Sequence, residues 1–278
     1  MAEVTAHSGL LKNVKVYVDD TGGPGRPVVL LHGWPLSSEA WEPQVGALAA
    51  AGYRVVRYDR RGFGRSDKPL TGYGYDTLAD DLDGVLTELD LRDVTLVGFS
   101  MGGGEVARYI SRHGQERLHS VVFASSVTPY LLQGSDNPDG PLTKQLAAQL
   151  TAQLTKDAGG FYDQFTTQFF SVDGKLQVSE EERRQAIELA EQADKKAALA
   201  TMASWGTTDF RADLPNVTVP ALVVHGDGDE TVAFEGSGKR THEAIPHSQL
   251  HLILGGPHGV NVSHAEELNR TLIDFLSV

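Results

Sequence analysis

Near-continuous apolar runs recur along the chain at Val28 to Leu31, Tyr53 to Tyr58, Val94 to Phe99, Leu118 to Ala124, Ala221 to Val224 and Leu250 to Leu254, and most end in Gly, Asp or Ser. Such runs have the pattern of strands buried on both faces. Between them the period lengthens. Leu78, Leu82, Val85, Leu86 and Leu89 fall on one stripe of a helix, and Leu268, Leu272, Phe275 and Leu276 repeat the arrangement in the last segment. Strand and helix in alternation predict an α/β fold, a mostly parallel sheet flanked by helices, whose ligand sites lie beyond the carboxyl ends of the strands.

From Thr128 to Asp213 no strand pattern stands out. Instead Leu142, Leu146, Leu150 and Leu154 recur every fourth residue, and Ser179 with Glu182 has the spacing of a capping box. The turn-rich GSDNPDG before this stretch and DLPNVTVP after it mark where the chain leaves and rejoins the sheet. The expected organisation is a core over residues 1–127, a helical cap insertion over 128–212 lying across the strand ends, and the second part of the core over 213–278.

Composition narrows the field. A chain of 278 residues, 40% hydrophobic, suits one large core. Its formal net charge of −13 would repel a phosphate backbone or an anionic membrane, so nucleic acid is not an expected partner. With no cysteine, disulfides, thiolate metal sites and a cysteine nucleophile are excluded. The sequence opens without a basic segment leading into an apolar one, and no run of about 18 apolar residues occurs. A soluble, cytoplasmic protein without membrane contact is expected.

The strongest chemical signal is VTLVGFSMGGGEVARYI, a buried strand running through Gly98-Phe99-Ser100-Met101-Gly102 into a helical pattern. In this context G-x-S-x-G forms a sharp turn that exposes its serine, with small residues two before and two after it so that backbones approach closely. The turn puts Ser100 at a helix N-terminus, where free N–H groups favour developing negative charge, and makes the Met101 N–H a natural oxyanion donor. A serine nucleophile needs a base and an acid that orients it, beyond later strands and in that chain order. ALVVHGDGDE offers Asp229, with Asp227 as competitor or turn-shaping residue, and HLILGGPHGV offers His258 in a Gly/Pro-rich loop. His251 lies in a strand pattern, and His113, His119, His242, His247 and His264 fit surfaces. The second oxyanion donor is expected from His32-Gly33-Trp34-Pro35, as the Trp34 N–H. Phe99, Phe165, Trp205 and Val260 are the candidate acyl pocket, and Phe161, Tyr162, Phe169 and Phe170 are further aromatics of the insertion that could line it. GGGE lacks nucleotide-binding spacing, HEAIPH is not H-E-x-x-H, and DRRGFGRSD reads as a structural loop, so no metal or other cofactor is expected.

Taken together, HGWPLSSEAW, GYRVVRYDRRGFGRSD, GFSMGGGEVARY, NPDG, TDFRADLP, HGDGDETV and GGPHG resemble the α/β-hydrolase superfamily, and within it the cofactor-free bacterial haloperoxidase, perhydrolase and arylesterase group. The resemblance covers nearly the whole chain. It implies Ser100 as nucleophile, Asp229 as acid, His258 as base, oxyanion N–H groups from Trp34 and Met101, a helical cap, and no metal, haem or flavin. It implies an acyl-enzyme that hydrolyses carboxylic esters and, with hydrogen peroxide in place of water, releases a peracid whose oxidation of halide outside the enzyme is seen as haloperoxidase activity. The expected partners are a small ester or carboxylic acid and hydrogen peroxide. Trp34-Pro35 matches the pattern in which the Trp carbonyl holds the distal proton of a peroxide. Ala233-Phe234 departs from the family, which commonly has proline there. Some members are trimers or hexamers, and the sequence speaks neither for nor against a homo-oligomer. The alternatives are a plain carboxylesterase, lactonase or lactamase, and a non-catalytic ligand-binding protein of the same fold.

Overall fold

A computed structural model describes residues 2–6 and 14–277. The chain runs through β1 (Ala2–Ala6), β2 (Val14–Asp20), β3 (Pro27–Leu31), α1 (Glu42–Ala50), β4 (Arg54–Tyr58), α2 (Tyr75–Glu88), β5 (Val94–Phe99), α3 (Met101–His113) and β6 (Leu118–Ala124). It then leaves the sheet for α4 (Lys144–Lys156), α5 (Ala158–Phe169), the short hairpin β7 (Ser171–Val172) and β8 (Lys175–Leu176), α6 (Glu180–Glu191) and α7 (Lys195–Thr207). It returns as β9 (Ala221–Gly226), α8 (Gly238–Ala244), β10 (Gln249–Ile253), α9 (Val260–Ser263) and α10 (Ala265–Leu276).

Among the described residues eight strands form one sheet, ordered β1-β2-β4-β3-β5-β6-β9-β10. From β4 to β10 every pairing is parallel, while β1 and β2 are antiparallel additions at one side. Alternation along the strands divides the core. Val29, Leu31 and Leu96 face the helices α2 and α3, whereas Val28, Leu30, Val97 and Phe99 face α1 and α10. Because β5 lies in the middle of the sheet, all its residues are buried, as its unbroken apolar run implies.

β1 and β2 are not anticipated by the apolar runs. In β2 only alternate residues, Val14, Val16 and Val18, are buried, which is the signature of a strand with one solvated face. The hairpin of β7 and β8 is a second addition, turned by Asp173 and Gly174 at φ 50° and 70°, the left-handed pair that a two-residue hairpin favours. Ser179 and Glu182 do form a capping box at the start of α6. Among the described residues no helix is long and apolar enough to cross a membrane.

Candidate active site

The carboxyl ends of β5, β9 and β10 open onto the same edge of the sheet, and the loops that follow carry the chemistry. Ser100 stands between β5 and α3 at φ 54°, ψ −115°, a backbone region that costs a non-glycine residue about 1–3 kcal/mol and persists only where its surroundings impose it. Here they do. The Ser100 N–H donates to the Ala124 carbonyl at 2.8 Å, and the Ser100 carbonyl accepts from Val127 N–H at 3.2 Å, so the turn is tied on both sides to the end of β6. A methyl on Gly98 would sit 2.5 Å from the Gly102 carbonyl oxygen, and one on Gly102 would sit 2.6 Å from that of Leu31. Both glycines of the motif are therefore required by close packing of backbone.

His258 Nε2 lies 2.9 Å from Ser100 Oγ, and His258 Nδ1 lies 2.6 Å from Asp229 Oδ2. All three residues are buried, at 5%, 1% and 5% exposure for Ser100, His258 and Asp229. The other oxygen of Asp229 accepts from the N–H groups of Thr231 at 2.8 Å and Val232 at 2.7 Å. Burial alone would raise the Asp229 carboxyl, but the charge and hydrogen bonds of His258 and His225 outweigh it and hold the group well below the ordinary carboxylate range. Asp229 is thus ionised throughout the pH range in which an imidazole titrates. Asp227, the competing carboxylate, instead accepts from Gly255 N–H at 2.6 Å and joins the loops after β9 and β10.

The His258 imidazole is held by aromatic rings. Phe99 lies 5.3 Å from the His258 ring, and Phe169 of α5 meets it edge-on at 4.9 Å. The loop of His258 is also bonded directly to α5, Gly259 N–H donating to the Phe169 carbonyl at 2.9 Å.

Trp34 and Met101 are both buried, and their N–H groups meet no acceptor among the described residues. The Trp34–Pro35 peptide is cis. The Trp34 indole N–H donates to the Ala198 carbonyl of α7 at 3.0 Å, joining the loop after β3 to the helices above it. His32 orients the same loop. Burial, and next the charge of Arg60, hold the His32 imidazole down to about 3. The neutral ring accepts from Arg60 N–H at Nε2 (3.0 Å) and donates from Nδ1 to the Gly33 carbonyl (2.9 Å). In DRRGFGRSD, Arg60 pairs with Glu105, Arg61 with Asp81 and Arg65 with Asp59, which bears out the structural reading of that loop.

Two neighbouring cavities share part of their lining, and the inner one holds the serine. The inner one, about 30 Å³, is lined by Ser100 and His258 together with Trp34, Val127, Phe165 and Trp205. The outer one, about 250 Å³, shares Trp34, Phe165 and Trp205 and widens between Leu146, Leu150 and Met202. Phe165 and Trp205 thus line both cavities. Phe99 and Val260 line neither of these two cavities. Phe99 points with Val97 to the opposite face of β5 from Leu96 and lies against the His258 ring, and Val260 is packed in the same rear cluster. Phe161 joins the outer wall, whereas Phe169 and Phe170 face a separate cavity behind His258. Sequence reasoning passes over Val127 and Thr231, because loop residues carry no periodicity, and over the pocket role of Leu146 and Leu150, read only as a helix stripe. Among the described residues no three His, Asp or Glu side chains converge as metal ligands would.

A strained serine at a strand-to-helix turn, an imidazole and a buried carboxylate, in that chain order on a parallel sheet, define a hydrolase of the α/β class. The chain belongs to the alpha/beta hydrolase fold family, whose model matches residues 26–265. Within it the chain falls in the non-heme haloperoxidase and perhydrolase group. A bromoperoxidase from Bacillus anthracis superposes with a TM-score of 0.96 at 48% identity, over 100% of this chain and 99% of that one. A non-heme chloroperoxidase of Kitasatospora aureofaciens is 39% identical over 95% of this chain and 96% of its own. A bifunctional esterase/perhydrolase of Acinetobacter calcoaceticus is 35% identical over 99% of both.

Proposed function

We propose that the protein is a serine esterase and perhydrolase working through an acyl-enzyme on Ser100. The unbroken hydrogen-bonded chain from Asp229 through His258 to Ser100 Oγ carries this reading. His258 takes the Ser100 proton as Oγ attacks an ester carbonyl, the oxyanion forms against the Trp34 and Met101 N–H groups, and the alcohol leaves with the proton from His258. Water, deprotonated by the same imidazole, releases the carboxylic acid. Hydrogen peroxide in its place releases a peracid, and a free carboxylic acid serves as acyl donor by losing water. Outside the site, peracid and bromide give carboxylate and hypobromous acid, so no halide site is needed. Kinship with an esterase/perhydrolase and with haloperoxidases supports the second acceptor.

The two cavities favour a short acyl group next to Ser100 and a bulkier apolar leaving group in the outer space. The direct test measures p-nitrophenyl acetate hydrolysis and peracetic acid formation from acetate and hydrogen peroxide at mildly acidic pH. Both activities are expected; hydrolysis without peracid would reduce the reading to a plain esterase. For the acyl limit, kcat/KM should fall from acetate to octanoate esters, and Trp205→Ala should raise it at least about tenfold for octanoate relative to acetate, since each methylene admitted to an apolar pocket is worth about 1–3 kcal/mol. An unchanged ratio would place the acyl chain elsewhere.

A further inference from the structure

Asp229 is met by a second imidazole that the acyl-enzyme scheme does not use. His225, in β9, is completely buried. Its Nε2 lies 2.8 Å from the Val232 carbonyl oxygen and 3.1 Å from Asp229 Oδ2. A carbonyl oxygen only accepts, so Nε2 bears a proton, and that proton is shared between the carbonyl and the carboxylate. Oδ2 is the oxygen that also faces His258 Nδ1, while Oδ1 is occupied by Thr231 and Val232 N–H. The carboxylate therefore accepts at both oxygens from both sides of its loop. The far side of the His225 ring is closed. Nδ1 has no partner, a methyl on Gly238 would collide with it, and Phe234 flanks the ring at 5.6 Å. An unpaired buried nitrogen disfavours folding, and what the ring contributes in return is its single N–H toward Asp229 and Val232.

We propose that His225 is a positioning residue for the base: its N–H fixes Asp229 in the rotamer that faces His258 and withdraws negative charge from Oδ2. This rests on the acyl-enzyme reading of the site. A hydrogen bond donated to a carboxylate weakens that carboxylate's hold on a neighbouring imidazolium. The titratable groups that meet Asp229 are His258, from the loop after β10, and His225, from β9; the other rings against the two imidazoles are those of Phe99, Phe169 and Phe234. The consequence concerns peracid synthesis from a free acid. That reaction needs the substrate carboxyl protonated while the base is not, and the two conditions overlap only if the charged form of the base is kept from being over-stabilised.

The test compares His225→Met, which fills the space without a donor, with His225→Gln, whose amide N–H reaches toward the position of Nε2. For p-nitrophenyl acetate, His225→Met should lower kcat by about tenfold with KM changed by less than about twofold, and should move the acid limb of kcat/KM to higher pH. His225→Gln should recover most of the rate and return the limb toward its wild-type position. Should His225→Met fail to fold, His225→Asn, whose shorter amide stops short of Asp229, takes its place with the same expectation. Equal losses in the donor and non-donor variants with an unmoved acid limb would overturn the proposal, leaving His225 as packing. Fluorophosphonate labelling of wild type separates the two levels: with Ser100 labelled, an unmoved limb counts against His225 alone, whereas an unlabelled Ser100 overturns the acyl-enzyme and this proposal with it.

Discussion

Replacing Ser100 by alanine should lower ester hydrolysis and peracid-dependent bromination together, each by roughly a millionfold in kcat, as when the nucleophile of a serine–histidine pair is lost. The two activities share one covalent intermediate in the proposed scheme, so no variant at Ser100 can keep one and lose the other. The fold should tolerate the change, since the turn is set by the backbone bonds of Ser100 to Ala124 and Val127 and by the glycines at 98 and 102, none of which involves Oγ. Side-by-side assays of wild type and Ser100→Ala, with unfolding curves for both, check this. Bromination persisting in a clean Ser100→Ala preparation would refute the shared acyl-enzyme. Asp229→Asn should fall less far, by about 10⁴, because an amide no longer enforces the tautomer that leaves Nε2 free for Ser100.

The core was largely legible in the sequence because parallel strands buried on both faces leave unbroken apolar runs. β3, β5, β6 and β9 announce themselves this way, and Gly98 and Gly102 are demanded by contacts short enough to exclude any other residue. Chain order then limits the acid and base to loops after later strands, and the geometry brings Asp229 and His258 to Ser100. What stayed hidden depends on facing. β2 buries only every second side chain and shows no run. Phe99 is adjacent to the serine in sequence, yet alternation along β5 turns it to the rear. His225 looks like any strand residue until the turn after β9 folds Asp229 back against it four positions later. The cap's leucine stripe marks a helix, but only the assembled fold shows Leu146 and Leu150 lining the outer cavity.

Truncating either partner of the buried Arg60–Glu105 pair should cost about 3–5 kcal/mol, because the remaining charge is left without compensation in a site exposed by 2% or less. For a chain of this size that is roughly a 10 °C fall in Tm. Burial pushes the Glu105 carboxyl up, and Arg60 and Tyr58 pull it only part of the way back, so the pair is not strongly stabilising. The double variant Arg60→Met with Glu105→Leu should therefore be more stable than either single one. Its activity is the sharper test. Arg60 Nη2 donates to the His32 carbonyl at 2.6 Å, and His32 Nδ1 donates to the Gly33 carbonyl, which belongs to the same peptide unit as the Trp34 N–H. Glu105 sits one turn into α3 from Met101, the proposed source of the other oxyanion donor. The ion pair thus braces one donor against the other. If so, the double variant, although folded, should lose up to about 10²-fold in kcat, comparable to the loss of one oxyanion donor. A folded double variant with wild-type kcat would show that the brace serves stability alone and that the loop of Trp34 keeps its place by other contacts, chief among them the indole bond to Ala198.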